Sequence, residues 1–297
     1  MEAKKHWYKD GDALLREINS SLPPPNTVHL WYLGQHGFVF NIGGIVIYID
    51  VILNSFPDKT GEDRRNYPHP FNPDAVKCLD YYISTHNHGD HLNLKTILPL
   101  AKANKETKFI VPMPYTNMLI EAGIEYNRVL GARAEEKIDC TSRESKTSEK
   151  ISIIPVPAIH TPFIQDEGEK DAKGDFLALG FVFKAERISL YHPGDTWITP
   201  SLVDLLKKLG PLDIAMLPIN GTDWERTASG CIGNVSVMDA VKLAMAIPID
   251  LVIPCHYDMM PNNTENPAYF ADSMYRYCPE KRYHICALGE KFVYEKP

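Results

Sequence analysis

Residues Thr85-His86-Asn87-His88-Gly89-Asp90-His91 set three imidazoles and a carboxylate within six positions, just past an apolar run. Nitrogen and oxygen donors at that density suit a divalent metal centre and serve no need of an ordinary core or loop. If Asp80 to Thr85 is a strand, its side chains alternate, so His86 and His88 project to one side and grip one ion together. Gly89 is expected to supply a sharp turn through positive φ. Asp90 then reads as a helix N-cap, because Leu92, Leu94, Ile97 and Leu98 are apolar at helical spacing, with Lys95 and Lys102 opposite. Asp90 and His91 leave that helix start as a second pair of ligands. One small cation could hardly take all four donors and keep an open position, so the spacing predicts two adjacent ions.

The elements that must position these residues follow from periodicity. Three apolar runs, Val28 to Leu33, Gly37 to Ile42 and Ile45 to Ile49, are separated by glycines and predict an antiparallel meander closed by Asp50. Asn54 to Pro73 is a polar, proline-bearing loop of the length that is usually functional or mobile, with Lys59, Arg64, Arg65 and His69 in it. Strands are expected at Lys108 to Val111, Arg128 to Leu130, Ile151 to Val156, Phe176 to Phe183, Ile188 to Tyr191, Ile214 to Leu217 and Leu251 to Ile253. Helices are expected at Thr116 to Ala122, Leu202 to Leu209 and Val235 to Met245, with a polar turn over Glu135 to Lys150. Lys5 to Ser20 reads as an amphipathic helix stopped by Pro23-Pro24-Pro25 and lying outside the main sheet. Hairpins first and β-α units after them imply an α/β protein with its site at one edge of a sheet.

Three of those strand ends carry a further donor each: His160, Asp195 and His256. Singly, each reads as a capping aspartate or a hydrogen-bonded histidine. Together they complete two sets, His86, His88 and His160 for one ion and Asp90, His91 and His256 for the other, with Asp195 between them. A water shared by two such ions is a nucleophile near neutral pH. Asp90 is expected both to ligate and to orient it, and Asp195 to bridge. Asp50 is expected to hydrogen-bond the histidine loop or a ligand histidine.

His-x-His-x-Asp-His, followed by a lone His, a Gly-Asp and a final His on separate strand ends, resembles the metallo-β-lactamase superfamily. The resemblance covers roughly residues 28 to 295. It implies an α/β fold, a four-layer αβ/βα sandwich of two mixed β-sheets flanked by helices, with a dinuclear hydrolytic site; the chain then divides into an N-terminal helical extension, 1–27, and a hydrolase domain, 28–297. Trp31 to Gly37, Tyr191 to Thr196, Asp213 to Leu217 and Val252 to Asp258 are similar to the L-ascorbate-6-phosphate lactonase branch. That branch carries an aspartate where this chain has His160. Di-iron redox relatives carry Glu in place of His88 and an appended flavin domain, so His88 favours hydrolysis. A non-catalytic scaffold would have lost ligands, and all seven are present.

The expected activity is opening of a lactone of a small sugar-like metabolite, phosphorylated or not, with attack on a small phosphodiester or cyclic nucleotide as the alternative. His36, Asn220, Arg226 and Tyr257 are the expected substrate contacts, and Arg64, Arg65 or Arg226 the expected phosphate handles, since no P-loop exists. Zn or Mn is the expected metal, with Fe and Ni also compatible with such donors.

The 297 residues and 44% hydrophobic content allow a large core, and a formal charge of −7 without a basic stripe disfavours nucleic acid as a partner. Six cysteines, Cys78, Cys140, Cys231, Cys255, Cys278 and Cys286, form no C-x-x-C pair and read as reduced thiols, with Cys255 a core residue. The charged N-terminus, Met1 to Asp10, lacks a secretory apolar stretch and no run is long enough to span a bilayer, so the expectation is a soluble cytoplasmic protein with no membrane partner. The lactonase resemblance leans toward a homo-oligomer.

Overall fold

Alternation along the strands sorts the side chains into layers. In the computed structural model, which describes residues 6–141 and 150–296, the first seven-stranded sheet holds β1 (Thr27–Tyr32), β2 (Phe38–Ile42), β3 (Ile45–Ile49), β4 (Tyr81–Ile83), β5 (Lys108–Pro112) and β6 (Val129–Ala132). The second holds β7 (Ile138–Cys140), β8 (Ile151–Pro157), β9 (Leu179–Lys184), β10 (Ser189–His192), β11 (Leu212–Pro218), β12 (Ile249–Cys255) and β13 (Arg282–Tyr283). The last strand, β14 (Lys291–Glu295), returns to the first sheet and pairs antiparallel with β1. β1 to β3 form the expected antiparallel meander, and β3 to β6 continue in parallel. The second sheet repeats the scheme, antiparallel from β7 to β10 and parallel from β10 to β13.

Both sheets are buried on two faces, which is why their strands read as nearly unbroken apolar runs. Val28, Leu30, Phe38, Phe40, Ile47 and Ile49 meet Ile153, Phe181, Phe183, Leu190, Ile214 and Ile253 in the core between the sheets. Their neighbours one position away, such as Trp31, Val39 and Tyr48, face outward and pack with α1 (Gly11–Asn19) and α2 (Leu94–Ala103). α3 (Thr116–Glu121) adds Leu119 to the same layer. On the other side, α4 (Pro200–Leu209), α6 (Val237–Ala246) and α7 (Pro267–Tyr277) cover Val182, Tyr191, Ala215 and Val252, and the short α5 (Trp224–Ala228) follows β11. Helices outside two mixed sheets give the four layers expected. No helix among the described residues is long and apolar enough to cross a membrane.

Several boundaries differ from the sequence expectation. The N-terminal helix begins at Gly11, and Lys5 lies outside the described residues. Leu14, Leu15 and Ile18 lay its apolar face on the sheet, and Trp31 Nε1 donates to Glu17 Oε1 at 2.9 Å. β9 starts at Leu179 rather than Phe176, because Phe176 bridges to Lys170 in the preceding loop. The span expected as a polar turn contains β7, and its positions 142–149 lie outside the described residues.

Candidate metal centre

The histidine-rich stretch is a tight bend. β4 ends at Ile83, so strand alternation does not carry His86 and His88 to one side. The bend does so instead: the N–H groups of His91 and Leu92 both donate to His88 O, at 2.9 and 2.8 Å, and Ser84 Oγ donates to His91 O at 2.9 Å. Gly89 makes its part of the turn without a left-handed φ. Asp90 is not the helix cap. α2 begins at Leu94 and Asn93 Oδ1 accepts from Lys95 N at 3.1 Å, which leaves the Asp90 carboxylate to face the histidines.

Donors from both sheets converge beyond the C-terminal ends of β3, β4, β8, β10 and β12. His86 Nε2 and His160 Nε2 lie 3.0 and 3.1 Å from His88 Nδ1. His86 and His160 are buried and His88 is exposed, so this trio opens to solvent at the bend. Beside it, His91 Nε2 is 3.6 Å from Asp90 Oδ2 and 3.5 Å from Asp195 Oδ1, and His256 Nε2 is 3.7 Å from Asp90 Oδ2 and 3.2 Å from Asp195 Oδ2. Asp195 Oδ2 also lies 4.0 Å from His160 Nε2, within reach of both groups. All seven sequence-nominated donors are therefore brought together.

The donor set fits divalent cations. Two ligands about 2.1 Å from one tetrahedral ion stand about 3.4 Å apart, within the 3.0–4.0 Å range of these spacings, and the 3.5–4.0 Å ones are too long for hydrogen bonds. His91 gives the sharpest sign. Its Nδ1 donates to Asp50 Oδ2 at 2.8 Å, so in the neutral ring Nε2 carries the lone pair, and that atom is buried with no hydrogen-bond partner while two carboxylates face it, a place for a proton or a metal cation. A bare nitrogen among carboxylate oxygens is repulsive unless a cation sits between them.

Surrounding residues hold the donors in place. Asp50, at the end of β3, accepts from Thr85 N at 2.9 Å, Thr85 Oγ1 at 2.7 Å and His91 Nδ1. It thus binds both the loop backbone and a histidine of the centre, as expected. Two residues escaped sequence reasoning. Gln35 Nε2 donates to Asp90 Oδ2 at 2.8 Å, from a backbone held at φ 56°. Asp258 accepts from Gln35 N at 2.8 Å, Tyr32 Oη at 2.8 Å and Tyr67 Oη at 2.6 Å, tying that turn to the strand end that bears His256. Gly34 in the same turn has no room for a Cβ, which would strike the Tyr67 hydroxyl. The one sequence-level signal was position: both residues sit in segments that carry the family resemblance, Trp31 to Gly37 and Val252 to Asp258, and the second also bears His256.

Electrostatics divide the centre. Burial and the neighbouring His91 and His160 push His86 well below the ordinary histidine pKa, and burial takes His160 to about 4. Burial alone would also depress His91 and His256. The carboxylates facing them outweigh it, so His91 is raised well above the usual value and His256 is raised. Burial would raise Asp195, but His256 and His91 hold it well below the usual carboxylate range. His86 and His160 are thus held neutral, while His91 and His256 draw positive charge.

The expected substrate contacts fare differently. His36 is fully buried, with Nδ1 3.1 Å from Asp195 Oδ1, and has no surface to offer a substrate. Tyr257 is buried in the outer core against the α6 and α7 layer. Asn220 is buried too, its Nδ2 donating to Asn263 Oδ1 at 2.9 Å. Arg226 stays part-exposed, but its guanidinium is engaged by Asp223 Oδ2 at 2.6 Å, Asn220 O at 2.9 Å and Asn263 Oδ1 at 2.8 Å. Arg65 is buried and donates to the carbonyls of Ile52 and Asn54, so it braces its loop instead of offering a phosphate handle. Arg64 is exposed, its Nε turned to Phe56 O at 3.4 Å.

A family profile described as the beta-lactamase superfamily domain matches residues 50–257. A UPF0173 metal-dependent hydrolase of Archaeoglobus fulgidus is 26% identical over 266 residues, covering 89% of this chain and 98% of the relative. A probable L-ascorbate-6-phosphate lactonase of Escherichia fergusonii is 21% identical, over 86% of this chain and 77% of its own length. Igni18, a metallo hydrolase of Ignicoccus hospitalis, superposes with a TM-score of 0.67 at 20% identity, over 91% of this chain and 100% of that one, and so shares the fold.

Proposed function

Because the chain belongs to the beta-lactamase superfamily, we propose that it is a metal-dependent hydrolase whose centre takes two divalent ions, Zn or Mn, and opens the lactone of a small sugar-like metabolite. The observation that carries this reading is the meeting of His86, His88 and His160 with Asp90, His91 and His256 around Asp195. Such ions lower the pKa of water toward neutrality and clamp the oxygens of the reacting group.

The protein's own groups supply the rest. Asp50 fixes His91 with its proton on Nδ1 and its lone pair toward the centre. Gln35 holds one oxygen of Asp90, the more exposed of the two central carboxylates, with 22% of its side chain accessible against 5% for Asp195. Asp90 thereby orients the attacking water, while Asp195 serves both ligand groups. Arg65 and Arg226, two of the arginines suited to a phosphate, are engaged by carbonyls and by Asp223, which leaves the exposed Arg64 as the handle for the phosphate of a phosphorylated lactone. A lactone is favoured over a phosphodiester by the similarity to a probable lactonase.

Turnover of the Mn- or Zn-loaded protein on L-ascorbate 6-phosphate, beside bis(p-nitrophenyl) phosphate, tests this. Lactone opening should exceed diester cleavage; the reverse order would favour a phosphodiesterase. With both ions bound, inactivity toward both substrates would overturn the hydrolytic reading as stated. Asp195→Ala should lose one or both ions by elemental analysis and lose activity with them.

A further inference from the structure

His36 occupies a place that substrate binding does not explain. It lies on the turn between β1 and β2, fully buried, with its Nδ1 3.1 Å from Asp195 Oδ1. A carboxylate can only accept there, so the ring proton belongs on Nδ1 and Nε2 is left bare. Nε2 is buried without a hydrogen-bond partner. Burying an unpartnered nitrogen costs about 1–3 kcal/mol, and an apolar side chain in its place would avoid that cost. The ring is also locked from several sides. His192 stacks on it at 4.2 Å between centroids, and His192 Nε2 donates to His36 O at 2.9 Å. The rings of His91 and His256 meet it edge-on at 5.6 and 5.4 Å.

The two oxygens of Asp195 are consequently not equivalent. Oδ1 faces His36 and stands 3.5 Å from His91 Nε2, whereas Oδ2 lies 3.2 Å from His256 Nε2 and 4.0 Å from His160 Nε2, one histidine from each ligand group. We propose that His36 is a positioning residue: its Nδ1–H grips Oδ1 and sets the rotation of the Asp195 carboxylate so that Oδ2 is presented to both groups. This inference rests on the metal-centre reading above. It assigns His36 a role toward Asp195 and none toward substrate.

Asn and Gln separate the two ring nitrogens, since the Asn amide can place an N–H where Nδ1 stands and the Gln amide where Nε2 stands. Mn²⁺ titration of the full chain, with electron paramagnetic resonance of the Mn pair as a second readout, should find His36→Asn at wild-type affinity with an unchanged pair signal. His36→Gln should bind about 10–100-fold more weakly, with altered coupling between the ions. His36→Leu takes the place of the Gln variant if that one does not fold. The proposal is overturned if Asn loses as much as Gln or Leu, as it would if His36 were itself a ligand, or if all variants bind as the wild type does. Failure of the wild type to bind Mn²⁺ would instead remove the metal-centre reading on which this one stands.

Discussion

His86 and His160 are held neutral while His91 and His256 are pulled toward the charged form, and the carboxylates facing each ring make the difference. Asp50 is the most buried of the carboxylates facing His91, and it also carries the Thr85 backbone. Its φ of 48° is one that asparagine tolerates, so Asp50→Asn changes charge and one hydrogen-bonding edge with little backbone strain. Metal affinity should fall about 10–100-fold in that variant, because the amide cannot accept from both Thr85 and His91 as the carboxylate does. Wild-type affinity in a calorimetric titration would show that His91 needs no such partner. The gathering of the seven proposed donors was legible in sequence because four are local and three sit on strand ends with polar signatures. Gln35 and Asp258 were not, since an amide in a turn and an aspartate in a loop gain meaning only from partners more than 200 residues apart in sequence, 35 against 258.

At the scale of elements, period-2 alternation made β1, β2 and β3 readable, while the five residues of β14 carry too little pattern to stand out between charged ends. β14 nevertheless fastens the two halves. Tyr294 Oη donates to Asp250 Oδ2 at 2.9 Å and Asp213 Oδ1 at 3.2 Å, joining a strand of the first sheet to residues of β12 and β11 in the second. Tyr294→Phe keeps the ring and removes those bonds, so it should cost about 1.5–3 kcal/mol in denaturant unfolding, the range for bonds to charged acceptors. An unchanged midpoint would mean that the ring alone does the fastening. Misplacing the cap at Asp90 has a related cause. Asn93 and Asp90 are both good capping residues, and only the bend stabilised by His88 O decides between them.

Across the whole molecule, the centre exists because two sheets of like pairing order face one another and both deliver donors to one rim. Phe40 of β2 and Phe183 of β9 meet edge to face between them at 5.4 Å and are fully buried. Phe183→Ala should therefore destabilise the metal-free protein by about 3–5 kcal/mol, read from chemical unfolding in the presence of a chelator. A cost below about 1 kcal/mol would show that the sheets can close over the lost ring. The two-sheet class was legible from the strand ends, and the matching order of pairings in the two sheets was not, since no sequence repeat accompanies it.

The bend from His86 to His91 also bears on how the protein is loaded. Its four donors stay neighbours in an unfolded chain, whereas His160, Asp195 and His256 reach them only once the sheets have met. An ion that binds the unfolded chain as well as the native one lends the native state less stability. If the centre takes metal as proposed, the half-built claw of the bend can hold an ion before the sheets meet, and the metal supplied during refolding should then influence which one the protein keeps.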